Sequence, residues 1–237
     1  MNRPALLTAL LTLSAGVQAH GIDSETNTDK IPAFDITKAQ ASSDGRVTTF
    51  IMELAGTAGS VKPKPIGQLT GAKVQSYVWP TSLDPSVVGF DSASGILSLA
   101  ITAHPDFDDT PLFDENNDGD PANDGANWHS HWVVLVKDEQ CGAGLKVRDV
   151  SPGVDLLPAT APYLPIALDS PGMSPVLHGT MAKITVPLSD SENVSFDAVT
   201  AELQVNEQGE APLLCVTGVH DIASGDLSLP GRVSQQP

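Results

Sequence analysis

Two histidines in the segment 127–132 (NWHSHW) stand two positions apart, just before an apolar run, VVLV. On a β-strand, residues i and i+2 point to the same side. The side chains of His129 and His131 would therefore project together, and their imidazoles could converge on one metal ion. The alternative is a pair of ordinary polar histidines at the start of a strand. We predict a transition-metal site on this pair.

A third ligand would complete such a site, and His104 is the first candidate. It follows an apolar segment, 95–103, and precedes an acidic loop that returns the chain to His129. If the two segments are neighbouring strands, His104 lies near the pair. His20 is the second candidate, because cleavage after Ala19 would give it both an imidazole and an α-amine. No thiol or thioether stands beside the pair, so the imidazole-rich site favours copper or zinc.

The loop between these two segments is strongly acidic. Eight acidic residues lie between Asp106 and Asp124, and no Lys or Arg occurs between Lys73 and Lys137. Holding so many carboxylates in one ordered loop is costly without counter-charge. A bound cation would supply that charge; the alternative interpretation is a solvated, mobile loop. The segment 114–119 (DENNDG) has the alternating oxygen ligands and the glycine that open a calcium-binding loop. The twelfth loop position is glycine and no amphipathic helix flanks the loop, so we predict one calcium ion outside any EF-hand. The predicted calcium ligands are Asp106, Asp108, Asp109, Asp114, Asn116, Asp118, Asp120 and Asp124.

The composition limits the classes of function. The chain has 237 residues and a net charge of −17, and such a polyanion repels nucleic acid and anionic membrane surfaces. Hydrophobic residues make up 41% and charged residues 17%, which argues against general disorder. With 20 glycines and 19 prolines, long helices are disfavoured. We predict a folded protein that does not bind nucleic acid.

Residues 1–19 have the layout of a secretory signal. Arg3 is followed by an apolar run at 5–17 and by a small-residue cleavage site that ends at Ala19. The alternative is an N-terminal anchor, but the run is too short to span a bilayer comfortably. We predict that residues 20–237 form one exported domain, without a transmembrane segment, in the periplasm or at the outer cell surface.

The chain has two cysteines, Cys141 and Cys215. An even number in an exported chain favours one disulfide. The alternative is a pair of thiolate metal ligands, but neither cysteine has a second Cys or a His within four residues.

Short β-rich segments bounded by Gly, Pro, Asn and Asp recur along the chain and predict an all-β, single-domain β-sandwich with long irregular loops. One of these loops is predicted at 151–175, which holds several prolines. The predicted strands are 46–54, 73–79, 95–103, 129–136, 181–187, 194–205 and 212–219. A short helix is the alternative for 194–205, although Val194, Phe196 and Ala198 also fit the alternation of a strand.

The export signal, the acidic loop, the WHSHWVVLV strand and the cysteine pair together resemble the surface copper-binding proteins of methane-oxidising bacteria, the MopE and CorA type. The resemblance covers about residues 73 to 150. It implies one copper ion held by imidazoles and an oxidised tryptophan, with calcium also bound. By that resemblance His129 or His131 would be a ligand and Trp128 or Trp132 the modified tryptophan, unless three histidines serve instead.

The motif His-x-His-Trp at 129–132 also resembles the zinc-binding strand of α-type carbonic anhydrases, which are zinc enzymes. That chemistry needs a third histidine, and after His131 the next one is His178. A third class is a calcium-stiffened adhesion or carbohydrate-binding module, whose tryptophans would stack on sugars. The favoured hypothesis is copper capture, storage or delivery outside the cytoplasm, rather than enzymatic turnover, with a cell-surface or copper-delivery partner.

Overall fold

The computed structural model describes residues 21–236; the predicted signal at 1–19 and His20 lie outside them. The described chain is almost entirely β, with two short 3₁₀ helices at Pro85–Val88 and Asp124–Ala126. The strands are β1 (Ile22–Asp23), β2 (Ile36–Ser43), β3 (Thr48–Leu54), β4 (Lys73–Pro80), β5 (Ile96–Ala103), β6 (His129–Lys137), β7 (Leu145–Val147), β8 (Leu168–Asp169), β9 (Val176–His178), β10 (Met181–Val186), β11 (Ser195–Phe196), β12 (Val199–Val205), β13 (Leu214–Ile222), β14 (Gly231–Arg232) and β15 (Ser234–Gln235).

A first sheet has the strand order β1-β2-β3-β10-β9, with β15 beside β2. The predicted segments 46–54 and 181–187 form its central strands, β3 and β10, which pair antiparallel over six residues. The sequence did not predict β2, because its residues ITKAQASS include few β-branched or aromatic side chains. Its buried positions carry small side chains instead, such as Ala39 and Ala41.

The second sheet has the order β5-β4-β12-β13-β7-β6-β8, and β5 also pairs with β6. That additional pairing closes six of its strands into a ring. Between β7 and β13 the ring is closed by a single pair of residues, Lys146 and Cys215. Cys141 and Cys215 lie within disulfide-bonding distance at this seam, with Cα atoms 5.2 Å apart, as the sequence predicted.

Two apolar clusters form the core. The first lies between the two sheets, where Phe50 and Met52 of one sheet pack with Trp79 and Leu99 of the other. The second fills the inside of the closed sheet, on the opposite face of the same strands, with residues such as Val74. Because the pleat alternates, β4, β5 and β6 supply both clusters, as with Leu99 in the first and Ala100 in the second. The predicted all-β sandwich is confirmed; the closure of one sheet was not predicted.

Candidate metal centre

The pairing of β5 with β6 brings three histidines to one end of the closed sheet. Thr102 pairs with His129 and Ala100 pairs with His131, so all four face the inside. His104 lies two residues beyond Thr102 and therefore continues the same face. Its main-chain N–H donates to the carbonyl of Gly125, 2.7 Å away, which ties the end of β5 to the returning loop.

Asp109 completes the cluster from the acidic loop. Its Oδ1 lies 3.2 Å from Nε2 of His104, 3.1 Å from that of His129 and 3.4 Å from that of His131. The two Nε2 atoms of His104 and His129 are 2.9 Å apart, and one ligand atom from each of the four residues lies within 4.8 Å of every other. A tetrahedral ion with bonds of about 2.0–2.1 Å would separate its ligand atoms by about 3.3 Å. The cluster therefore has the dimensions of a site for one ion.

Hydrogen bonds at the far side of each ring fix where its proton lies. Nδ1 of His104 is 2.9 Å from the carbonyl of Phe107, and Nδ1 of His129 is 2.8 Å from that of Asn127. A carbonyl oxygen can only accept, so each Nδ1 carries the hydrogen. In the neutral rings the lone pair is then on Nε2, which faces Asp109 and the other rings.

His131 has the same tautomer for a less direct reason. Its Nδ1 is 3.0 Å from the hydroxyl oxygen of Ser170. That hydroxyl donates its only hydrogen to the carbonyl of Asp109, at 2.9 Å, so it must accept from His131. Nε2 of His131 is buried and has no hydrogen-bond partner among the described residues. A buried nitrogen without a partner is costly, and here its lone pair points at the other ligands.

The four side chains are almost entirely desolvated, with His104, His129 and His131 each 1% exposed and Asp109 4% exposed. Burial lowers the pKa of His131 to about 3, so this ring is neutral. Burial also acts to lower the pKa of His129, but the hydrogen bond and the charge of Asp109 outweigh it and raise that pKa. Burial acts to raise the pKa of Asp109, but the neighbouring imidazoles hold it well below its usual range. When the three rings are neutral, an ionised carboxylate faces three nitrogen lone pairs, a donor set suited to a cation.

The loop around Asp109 is held by close packing. The ring of Phe107 stacks on that of His104, with centroids 4.0 Å apart. A Cβ at Gly125 would lie 1.8 Å from the carbonyl oxygen of Phe107 and 2.6 Å from that of His104. Only glycine permits this approach. Asp108 accepts from the main-chain N–H of Asp124 at 2.8 Å, which closes the loop across its base.

The two tryptophans beside the histidine pair lie away from the cluster. The pleat places Trp128 and Trp132 on the opposite face of the strand from His129 and His131. Trp132 is buried in the core between the sheets. Trp128 packs on Tyr77 and donates from Nε1 to the carbonyl of Gly59 at 3.0 Å. Neither indole is placed to contact an ion held by the three rings, so the structure does not support the ligand role that the family resemblance implied.

The predicted calcium ligands do not form one group. Asp109 faces the histidines instead. Asp106 accepts from the main-chain N–H groups of Ile66 and Gly67, and Asp124 accepts from Glu115 N–H and from the Asn127 side chain. Asp108 lies at the base of the loop, where it accepts from the main-chain N–H of Asp124. The other four predicted ligands lie in the tip of the loop, where local hydrogen bonds link Asp114, Asn116, Asp118 and Asp120 to main-chain N–H groups or to one another.

The sequence singled out all three histidines of the cluster but assigned Asp109 to the predicted calcium site. One of eight acids in a loop carries no spacing signal that separates it from its neighbours. Ser170 was also missed, because it lies in a segment predicted to be irregular. It follows the two-residue strand β8, which pairs with β6 at Trp132 and Val133 and so brings Ser170 beside His131.

Within residues 21–236 no helix is long and apolar enough to cross a membrane. In comparisons with known proteins, no family model, no curated protein and no solved structure matches this chain.

Proposed function

We propose that this protein is an exported copper-binding protein that captures, stores or delivers one copper ion held by His104, His129, His131 and Asp109. The observation that carries the proposal is the convergence of three imidazole Nε2 atoms on one carboxylate in a desolvated site. With all three rings neutral and no cation bound, the Nε2 lone pairs and the carboxylate repel one another or remain unsatisfied buried acceptors.

The donor set supports a first-row transition metal. Imidazole suits copper, zinc, iron and nickel, whereas calcium and magnesium prefer oxygen ligands. The described site contains three nitrogens and one carboxylate oxygen, and no sulfur, which disfavours a thiolate-dependent ion. Among divalent ions that such a site accepts, copper binds most tightly in the general order of affinities. Zinc, which takes the same ligands in a tetrahedral arrangement, is the competing occupant.

The position of Asp109 favours holding an ion over turnover. A zinc enzyme of the carbonic anhydrase type keeps three histidines and an open fourth position for water. Here the carboxylate of Asp109 lies within 3.4 Å of all three Nε2 atoms, where it would occupy that fourth position. The outer nitrogens are held by carbonyl and hydroxyl groups, as in sites whose ligands are fixed in orientation. Such a site suits capture and release to a partner.

We also propose that one calcium ion binds at the tip of the acidic loop. Asp114, Asp118 and Asp120 have no ion pair with any Lys or Arg of the described chain. Their carboxylates alternate as in calcium-binding loops. Calcium-dependent stabilisation of the unaltered chain, abolished in Asp114→Asn, is the expected result, and an equal response of both proteins to calcium would contradict it.

Elemental analysis of protein purified from its native envelope tests the proposal. We expect one copper per chain, lost in the double variant His129→Ala/His131→Ala and retained in His178→Ala, which removes an exposed histidine outside the cluster. Stoichiometric copper in the double variant would refute the site. Zinc together with CO₂ hydration activity would favour the anhydrase alternative, and calcium alone would favour an adhesion or carbohydrate-binding module.

A further inference from the structure

The inside of the closed sheet contains an apolar cavity of about 120 Å³. Its wall is formed by small and branched aliphatic side chains from several strands of the ring. Well-packed proteins keep few voids of this size, because an empty cavity lowers stability. Six of the side chains that form the wall are Val74, Val78, Ala100, Val133, Ala201 and Val216.

One end of the cavity is the metal centre itself. His104, Asp109 and His131 line it together with Phe107. Two of the rings that would hold the ion, those of His104 and His131, therefore also form part of the cavity wall. A molecule in the cavity would lie directly against these imidazoles.

The far end of the cavity lies near the start of β5. Ile96 begins β5, whereas His104 follows its last residue, so the two lie up to about 26 Å apart along the strand. Ile96 lines the cavity and is 41% exposed. The cavity is thus bounded by the ion site near the end of β5 and by the solvent-exposed side chain of Ile96 at the start of the same strand.

Two leucines from the loop after β13 also line the cavity. Leu227 and Leu229 have φ angles of 59° and 54°, in the left-handed region that non-glycine residues rarely adopt. Such backbone conformations persist only where the surroundings enforce them, and they concentrate at ligand-binding segments. Both side chains are partly buried, in a loop with polar neighbours such as Asp226 and Ser228.

The wall offers no free polar group away from the ion site. The hydroxyl of Ser76 lines the cavity but donates to the carbonyl of Ala201, 2.9 Å away. Thr102 is 3.4 Å from His129 Nε2. A water molecule needs two or more polar partners to occupy a cavity, and apolar cavities of about 150 Å³ stay dry and bind benzene or xenon.

We propose that this cavity is a binding site for a small uncharged apolar molecule, no larger than about benzene, which enters beside Leu227 and Leu229 and lies against the imidazole of His131. The site would bring an apolar ligand within contact of the metal centre. The cavity is formed by the sheet and does not depend on the proposed copper ion, so the two proposals can fail separately.

Benzene is the probe, titrated into the unaltered chain both free of metal and after copper loading. We expect saturable binding in both forms and, in the metal-free form, a larger shift of the His131 ring signals in nuclear magnetic resonance spectra than of those of the exposed His178. Absence of saturable binding, or unshifted His131 signals, would overturn the proposal.

Filling the cavity supplies the matched test. Ala100→Leu and Ala201→Leu enlarge buried side chains in the wall, whereas Ala122→Leu makes the same change at an exposed position. We expect benzene affinity to fall at least about tenfold in Ala100→Leu and in Ala201→Leu, because the larger side chains occupy the space of the probe. We expect the benzene affinity of Ala122→Leu to equal that of the unaltered chain. Equal affinity in all three would contradict the site.

Two further measurements separate the possible failures. If the filled variants do not fold, crystals of the unaltered chain under xenon pressure must show xenon inside the ring of aliphatic side chains, and an unoccupied cavity would overturn the proposal. The variant His129→Ala, which removes a proposed copper ligand that does not line the cavity, should still bind benzene while its copper affinity falls. Loss of benzene binding there, in a folded protein, would contradict a cavity that is independent of the ion.

Discussion

The Nε2 atoms of His104 and His129 lie 2.9 Å apart, although the Nδ1–H of each ring already donates a hydrogen bond to a main-chain carbonyl. In their neutral forms, two such nitrogens repel each other at this distance. The carboxylate of Asp109 lies 3.2 Å from one and 3.1 Å from the other, so a positive charge at this point would satisfy all three groups at once.

Replacing Asp109 by asparagine should weaken copper binding while preserving the fold. The amide has nearly the shape of the carboxylate but no charge, so the ion would lose its anionic ligand. Loss of groups that only orient a ligand costs about 10–100-fold in affinity, so we expect Asp109→Asn to cost at least about tenfold. Isothermal titration with copper under a competing chelator measures the change.

The control for this variant is Asp114→Asn, which removes one charge from the same acidic loop away from the histidines. We expect its copper affinity to match that of the unaltered chain. An equal loss in both variants would mean that Asp109 acts only through the overall negative potential of the loop and not as a ligand.

Ser170 should be a positioning residue for the site. Its hydroxyl accepts from His131 Nδ1 and donates to the carbonyl of Asp109, so it orients one ligand and holds the segment of another. We expect Ser170→Ala to lower copper affinity about 10–100-fold and to alter the copper absorption spectrum. Ser174→Ala, an exposed serine nearby in sequence, should change neither. A spectrum identical to that of the unaltered chain would argue against a role in orientation.

Copper affinity should fall as the pH falls. Protons compete with the ion for the Nε2 lone pairs, and the pKa of His129 is raised by Asp109 above that of ordinary histidine. In the metal-free protein, His129 therefore becomes protonated at a higher pH than a free imidazole, and copper must displace that proton. The low pKa of His131, about 3, keeps that ring available through the same range. Chelator competition from pH 8 to pH 5 would measure this trend, and a constant affinity would contradict it.

How much of the site could be predicted depends on the range of the interactions that build it. The His129–His131 pair could be found because strand periodicity is local, and His104 because the acidic loop links two adjacent strands. Asp109 could not be separated from its acidic neighbours, since its position depends on the close approach of Gly125 to Phe107 and His104. The closure of the sheet depends on contacts between residues far apart in sequence, such as Lys146 and Cys215, and it leaves no periodic signal.

The two flanking tryptophans show that residues adjacent in sequence need not share a site. Their adjacency to the histidines suggested a shared site, but adjacent positions on a strand point to opposite faces. Trp132 therefore packs between the sheets with Leu99, and Trp128 contacts Tyr77. The strand assignment that places two histidines together also excludes the tryptophans from that face.

Removing the ion should lower the thermal stability of the unaltered chain. An ion that binds only the folded state stabilises it by about 2.7 kcal/mol when its free concentration is 100 times Kd. For a chain of this size, that corresponds to a Tm shift of about 5–11 °C. Differential scanning calorimetry with and without copper measures the shift, and it should vanish in His129→Ala/His131→Ala but persist in His178→Ala. A copper-dependent shift of the same size in the double variant would mean that the stabilising ion binds elsewhere, because the remaining His104 and Asp109 supply only two of the four ligands.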